Sequence, residues 1–117
     1  MVEMSREEFE DAVADALDCV PPELARMMSN VVVLVEDDAP ADDPDLLGLY
    51  EGIPLTRRTT NYSGVLPDKI TIFRGPLERL YGAHPAVLRR EVKRVVLHEV
   101  AHHFGISDER LIELDRY

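Results

Sequence analysis

The stretch of this chain that decides its fold and its chemistry is residues 98–108, which read His-Glu-Val-Ala-His-His-Phe-Gly-Ile-Ser-Asp. Two histidines, His98 and His102, stand four positions apart in it. On an α-helix, residues four apart project from one face within about 40° of each other, so the two imidazoles can bind one ion. Neutral imidazole nitrogen is a good ligand for Zn²⁺. The pattern therefore predicts a helix that carries a divalent-metal site.

Glu99 stands between these histidines in the sequence, rotated about 100° from His98 and about 60° from His102 on a helix. This offset lets its carboxylate reach the open side of the ion without being a ligand. A catalytic zinc site has three protein ligands and leaves the fourth position for water, whose pKa the metal lowers to about 7. We therefore interpret Glu99 as the general base that takes a proton from that water and passes it to the leaving group.

The third ligand must come from beyond the helix, because a continuing helix would carry later residues away from the ion. Gly105 is predicted to adopt the left-handed conformation that ends a helix and reverses the chain. Asp108 follows three residues later, where its carboxylate can turn towards the ion. Glu109 and Glu113 compete for this role, and the short spacing after the turn favours Asp108.

In this motif, H-E-x-x-H-x-x-G-x-x-D, the chain resembles the short bacterial zincin-like metallopeptidases, also called minimal zincins. The resemblance extends over residues 48–55, 66–74 and 96–111. It implies an α+β fold reduced to the metal-binding half of a zincin, and a peptidase that hydrolyses peptide bonds of a peptide or protein through a metal-activated water. The site that it implies is one Zn²⁺ bound by His98, His102 and Asp108, with Glu99 as the base.

Zincins typically lay the substrate backbone along the edge of a sheet, on a strand that precedes the metal helix. The resemblance suggests that the strand predicted at residues 69–74, or a neighbour, has this role here; the alternative is that the strand is central and buried. The motif also resembles that of small secreted streptomycete-type neutral proteases, a metzincin-like branch. Metzincins carry a methionine turn downstream, whereas no methionine follows Met28 here. We therefore expect weaker turnover of large substrates.

Other functions remain open on the sequence. One alternative is a zinc-binding regulatory or interaction module with little or no catalytic activity, although such a site needs no base. Another is a small ribonuclease with the motif H-x-x-x-H-x-x-x-x-x-H, in which Asp108 would replace the last histidine. Two histidines and a carboxylate also suit Fe²⁺ or Mn²⁺. The sequence does not place an oxyanion-stabilising residue; the candidates by type are Tyr50, Tyr62, Tyr117 and Arg57.

Two further histidines are excluded from the predicted metal site. His103 lies about 120° around the helix from the midpoint of the His98 and His102 pair, so it cannot share their ion, and we expect a packing or supporting role. His84 belongs to no motif and is predicted to be an ordinary surface residue.

Composition restricts the class of protein. The 117 residues with 45% hydrophobic content predict one domain over residues 1–117. A net charge of −10 disfavours nucleic acid and anionic membranes as partners. Cys19 is the only cysteine, residues 1–8 lack the apolar stretch of a signal peptide, and the apolar run at 31–35 is too short to cross a bilayer. We therefore expect a cytoplasmic protein, whose oligomeric state the sequence does not define.

Periodicity and capping signals predict an α+β fold in which a small mixed sheet packs against helices and a long helix in the C-terminal half carries the metal motif. Ser5 and Glu8 form a capping-box pattern that opens the first helix. The other predicted elements are a short helix at 23–29, a buried strand at 30–36, an acidic solvated loop at 37–45, an irregular or extended segment at 48–55, a polar connection at 57–64, a strand at 69–74, and helices at 77–81, at 85–104 and from Ser107 or Asp108 to Arg116.

Overall fold

The computed structural model describes residues 4–28, 30–52 and 67–105. The predicted α+β class is confirmed, with a mixed three-stranded sheet and the metal motif on the last described helix. The predicted connection at 57–64 and the predicted final helix lie outside the described residues. In chain order the elements are α1 (Arg6–Leu17), α2 (Pro22–Ala25), β1 (Val31–Glu36), β2 (Gly48–Glu51), β3 (Asp68–Phe73), α3 (Arg74–Tyr81) and α4 (Pro85–His103).

The start of α1 is fixed by the predicted capping box. The Ser5 hydroxyl accepts a hydrogen bond from the Glu8 backbone N–H at 3.1 Å, and the Glu8 carboxylate accepts one from the Ser5 N–H at 3.2 Å. Helix α2 is shorter than predicted, because Met27 and Met28 donate their N–H groups three residues back, to Leu24 and Ala25. These tight turn bonds replace the bonds to the fourth preceding residue that would continue an α-helix.

The sheet has the order β1-β3-β2, with β1 parallel and β2 antiparallel to β3. Strand β3 is therefore central, so the residue 69–74 strand does not itself form a sheet edge and the central alternative is right for it. That a neighbouring strand has this role stays a prediction. Strand β1 was expected to be buried, but it alternates, and Val32 and Leu34 are 40% and 36% exposed. An apolar run alone does not show that only one face of an outer strand is covered.

Helix α3 begins at Arg74, three residues earlier than predicted, and includes Gly75 and Pro76 in its first turn. Proline is tolerated there because the first N–H groups of a helix have no partner within it. Helix α4 has Pro85 in its first turn, as predicted, and ends at His103. His84 before it is exposed, in agreement with its predicted surface position.

Helix α4 packs against α1 and the sheet through one stripe of buried side chains. The N-terminal part of the stripe is apolar, but its C-terminal part contains two polar residues, Glu99 and His103. The core around it is formed mainly by Phe9, Val13, Ile70, Ile72, Leu77, Leu88, Val92 and Val96. The exposed face of α4 carries four basic residues, Arg89, Arg90, Lys93 and Arg94. None of the helices in the described ranges has the length and apolarity needed to span a bilayer.

Candidate metal centre

The two motif histidines lie near the C-terminal end of α4 and face each other. Their Nε2 atoms are 3.1 Å apart, and the ring planes of His98 and His102 are inclined by 77°. Two nitrogen ligands at zinc distance in tetrahedral geometry are about 3.3 Å apart, so this separation suits one shared ion. Both side chains are half-buried. Helical spacing thus gives the nitrogen pair that the sequence predicts.

Glu99 joins these histidines in a group that could hold a metal ion. One ligand atom from each of the three side chains lies within 4.8 Å of the others. Glu99 is only 7% exposed, because its side chain belongs to the core-facing stripe of α4. A carboxylate in this position is close enough to act on a molecule bound beside the two imidazoles.

Gly48 on β2 provides the space that Glu99 occupies. A Cβ atom at residue 48 would lie 3.1 Å from Glu99 Cγ, 3.2 Å from Glu99 Oε2 and 2.7 Å from Val95 Cγ1. Glycine at the start of β2 therefore allows the buried carboxylate to pack directly on the strand backbone. The sequence predicted an irregular or extended segment at 48–55, but no local pattern linked Gly48 with Glu99.

The predicted turn after the metal helix is confirmed. Gly105 has a φ of 84°, and its N–H donates to the His102 carbonyl at 2.9 Å. This left-handed conformation ends α4 after His103, where a residue with a Cβ would be strained. The three candidates for a third ligand, Asp108, Glu109 and Glu113, lie outside the described residues. Their roles stay predictions.

Of the four oxyanion candidates, Tyr50 alone lies in the described residues; Arg57, Tyr62 and Tyr117 do not. Tyr50 is on β2, and its hydroxyl donates a hydrogen bond to Asp68 Oδ2 at 2.7 Å. A phenol has one proton to donate, so this contact competes with donation to an oxyanion. The structure therefore weakens the case for Tyr50 as an oxyanion donor.

Sequence reasoning missed Asp68 as a buried residue, since it gave the strand bounds as residues 69–74. Asp68 is the first residue of β3 and is only 1% exposed. A signal was present: Asp68 is in phase with Ile70 and Ile72, and alternate residues of a strand face the same side. His103, in contrast, is buried as its expected packing role requires, and it follows Val92, Val96 and Glu99 at helical spacing on the buried stripe.

Comparison with known families agrees with this arrangement. Residues 28–117 match the family model described as zincin-like metallopeptidase, which covers more than half of the chain. Because of this match, the chain belongs to the zincin-like metallopeptidase family. A search of curated proteins finds no match. Membership suggests a zinc-dependent hydrolase that acts on peptides or proteins.

Proposed function

We propose that this protein is a zinc-dependent peptidase in which His98, His102 and Asp108 bind one Zn²⁺ and Glu99 is the general base. The observation that carries the proposal is the pair of imidazole Nε2 atoms 3.1 Å apart, with the buried Glu99 carboxylate in the same group. Nitrogen ligands and an adjacent base suit zinc hydrolysis better than Fe²⁺ or Mn²⁺ chemistry. Family membership supports the same reaction.

When bound, Zn²⁺ would act as a Lewis acid that polarises the peptide carbonyl and lowers the pKa of bound water to about 7. His98 and His102 both lie on α4, and the helix backbone fixes the relative position of their rings. The Glu99 carboxylate accepts a proton from the attacking water and then donates it to the nitrogen of the departing peptide segment. Because Glu99 is buried against β2, its position is set by packing before substrate binds.

The proposal includes peptide or protein substrates, a cytoplasmic location and a single domain over residues 1–117. Its support is the acidic surface with a net charge of −10, which opposes binding to phosphate backbones, and the single Cys19, which suits a reducing compartment. The acidic charge also argues against the ribonuclease alternative.

Metal removal tests the proposed function directly. Purified protein is expected to contain one zinc per chain and to cleave members of an unbiased peptide library. A chelator should abolish cleavage, and stoichiometric zinc should restore it, because the ion provides both the Lewis acid and the activated water. Elemental analysis and mass spectrometry of the library give the two readouts. Stoichiometric zinc without any cleavage would instead support the zinc-binding module.

The G48A variant tests whether the close packing of β2 on Glu99 matters for the reaction. The added Cβ would displace Glu99 or shift the strand, since it lies within 3.2 Å of two Glu99 atoms. We expect kcat/KM to fall by about 10- to 100-fold, the range caused by misplacing a reacting group by about 1 Å. Zinc affinity should stay within about threefold of wild type, because the two histidines lie on another face of α4.

The G48A/V95A double variant is the control for this measurement. It removes the Val95 Cγ1 atom that lies 2.7 Å from the new Cβ but leaves both Glu99 contacts. We expect activity to remain low in the double variant. Recovery of wild-type kcat/KM would show that crowding at Val95, and not displacement of Glu99, had caused the loss.

A further inference from the structure

The C-terminal end of α4 is attached to the sheet by a buried hydrogen bond between His103 and Asp68. His103 Nδ1 lies 2.8 Å from Asp68 Oδ2, and the two side chains are 1% and 2% exposed. The Nε2 atom of His103 is buried and has no hydrogen-bond partner within the described part of the chain. The contact with Asp68 is therefore the hydrogen bond that compensates this imidazole for leaving water.

Asp68 is itself held from a second side. The Tyr50 hydroxyl donates to Asp68 Oδ2 at 2.7 Å, so one carboxylate oxygen accepts hydrogen bonds from β2 and from α4. The rings of Tyr50 and His103 also meet in a T-shaped contact, with centroids 5.9 Å apart. Gly52 leaves room for the second carboxylate oxygen, since a Cβ there would lie 2.5 Å from Asp68 Oδ1. Tyr50, Asp68 and His103 thus form one buried unit, which we call the Asp68 anchor.

The Asp68 anchor lies where the metal helix ends. His103 directly follows His102 and is the last residue of α4, two positions before the Gly105 turn. Towards the other end of the helix the buried stripe is apolar, with Leu88, Val92 and Val96 fully buried. Apolar contacts are not directional, whereas a hydrogen bond to a carboxylate restricts both distance and angle. The directional contact is therefore at the end of α4 where ligands must be placed accurately.

We propose that Tyr50, Asp68 and His103 are positioning residues of the metal centre. By fixing the last turn of α4 on strands β2 and β3, the Asp68 anchor sets the position of His102 and of the Gly105 turn that ends the helix. The three residues do not bind the ion in this proposal; they act through the backbone of α4. The inference rests on the proposed zinc site.

Substitutions at His103 separate positioning from simple stabilisation. H103L fills the buried space with an apolar side chain and removes the donor to Asp68, whereas H103N retains an N–H donor close to the place of Nδ1. We expect H103L to weaken zinc binding by about 10-fold or more and H103N to stay within about threefold of wild type. Zinc affinity is measured by competition with a chromophoric chelator. The absorption spectrum of the Co²⁺-substituted protein reports the ligand geometry, and we expect it to change in H103L.

Two further variants complete the test of the Asp68 anchor: one is a control, and the other can replace H103L. D15A removes another contact between α4 and the rest of the fold, the exposed ion pair of Arg89 with Asp15 at 2.7 Å, and should leave zinc affinity unchanged. Y50F removes only the hydroxyl from the Asp68 anchor, and it replaces H103L as the test variant if H103L does not fold. We expect Y50F to bind zinc about 10-fold more weakly than wild type, outside the threefold range that H103N defines.

The outcomes distinguish this proposal from the proposed function. If metal-free H103L unfolds at a lower temperature but binds zinc with wild-type affinity and an unchanged Co²⁺ spectrum, the Asp68 anchor is only structural and the inference is overturned, while the peptidase proposal stands. If the wild-type protein binds zinc but cleaves nothing, the peptidase proposal fails and the affinity and spectral differences still decide the inference. A wild-type protein that binds no zinc overturns both.

Discussion

Replacing Glu99 by glutamine is expected to lower kcat/KM for peptide hydrolysis by a factor of about 10² to 10⁴, the usual contribution of a general base. Glutamine has nearly the same shape as glutamate and can fill the space beside Gly48, but its amide does not accept the proton from water. Because Glu99 is 7% exposed, bulk water has little access to replace it as a proton acceptor. Zinc affinity should change little, since the proposed ligands remain.

The measurement compares kcat/KM of wild type and E99Q on a peptide identified from the library, together with the zinc content of each protein. E91Q is the matched control, with the same substitution on the same helix at a partly buried glutamate bound to Arg94 at 3.1 Å. E91Q should stay within about twofold of wild type, as expected away from the site. A large loss of zinc from E99Q would identify Glu99 as a ligand and contradict its role as base.

Replacing Asp108 by alanine is expected to weaken zinc binding by about 100- to 1000-fold. Structural zinc sites with four ligands bind with about 10–16 kcal/mol, so one ligand contributes about 2.5–4 kcal/mol, and each 1.4 kcal/mol is a factor of ten. Catalysis should fall in parallel when zinc is limiting. Excess zinc should restore part of the activity of D108A, because Glu99 and both histidines are intact.

E109A and E113A are the matched controls for the third ligand. Each removes one carboxylate from the same part of the sequence, and both should retain wild-type zinc affinity in the chelator competition. If E109A or E113A loses zinc while D108A keeps it, the assignment of Asp108 is wrong and the variant that loses zinc identifies the ligand. Equal affinity in all three variants would mean that the third ligand comes from elsewhere in the chain.

Much of the fold follows from local signals in the sequence. The capping box of Ser5 and Glu8 predicted the start of α1, Pro85 predicted the start of α4, and Gly105 predicted its end. Each of these is a short-range effect, because it depends on backbone groups within one turn of the residue. The exposure of the outer strand β1 did not follow from its sequence, since it depends on what covers each face of the sheet.

The sequence by itself determined the helix that carries the motif and the facing histidine pair, because residues four apart on a helix meet whatever the rest of the chain does. Only the tertiary structure decided what supports that pair. Glu99 packs on Gly48, and His103 binds Asp68, which Tyr50 also binds, across separations of 51, 35 and 18 positions along the chain. Contacts of this kind depend on the order of strands in the sheet and on the face of α4 that packs against it, and no local pattern encodes either one.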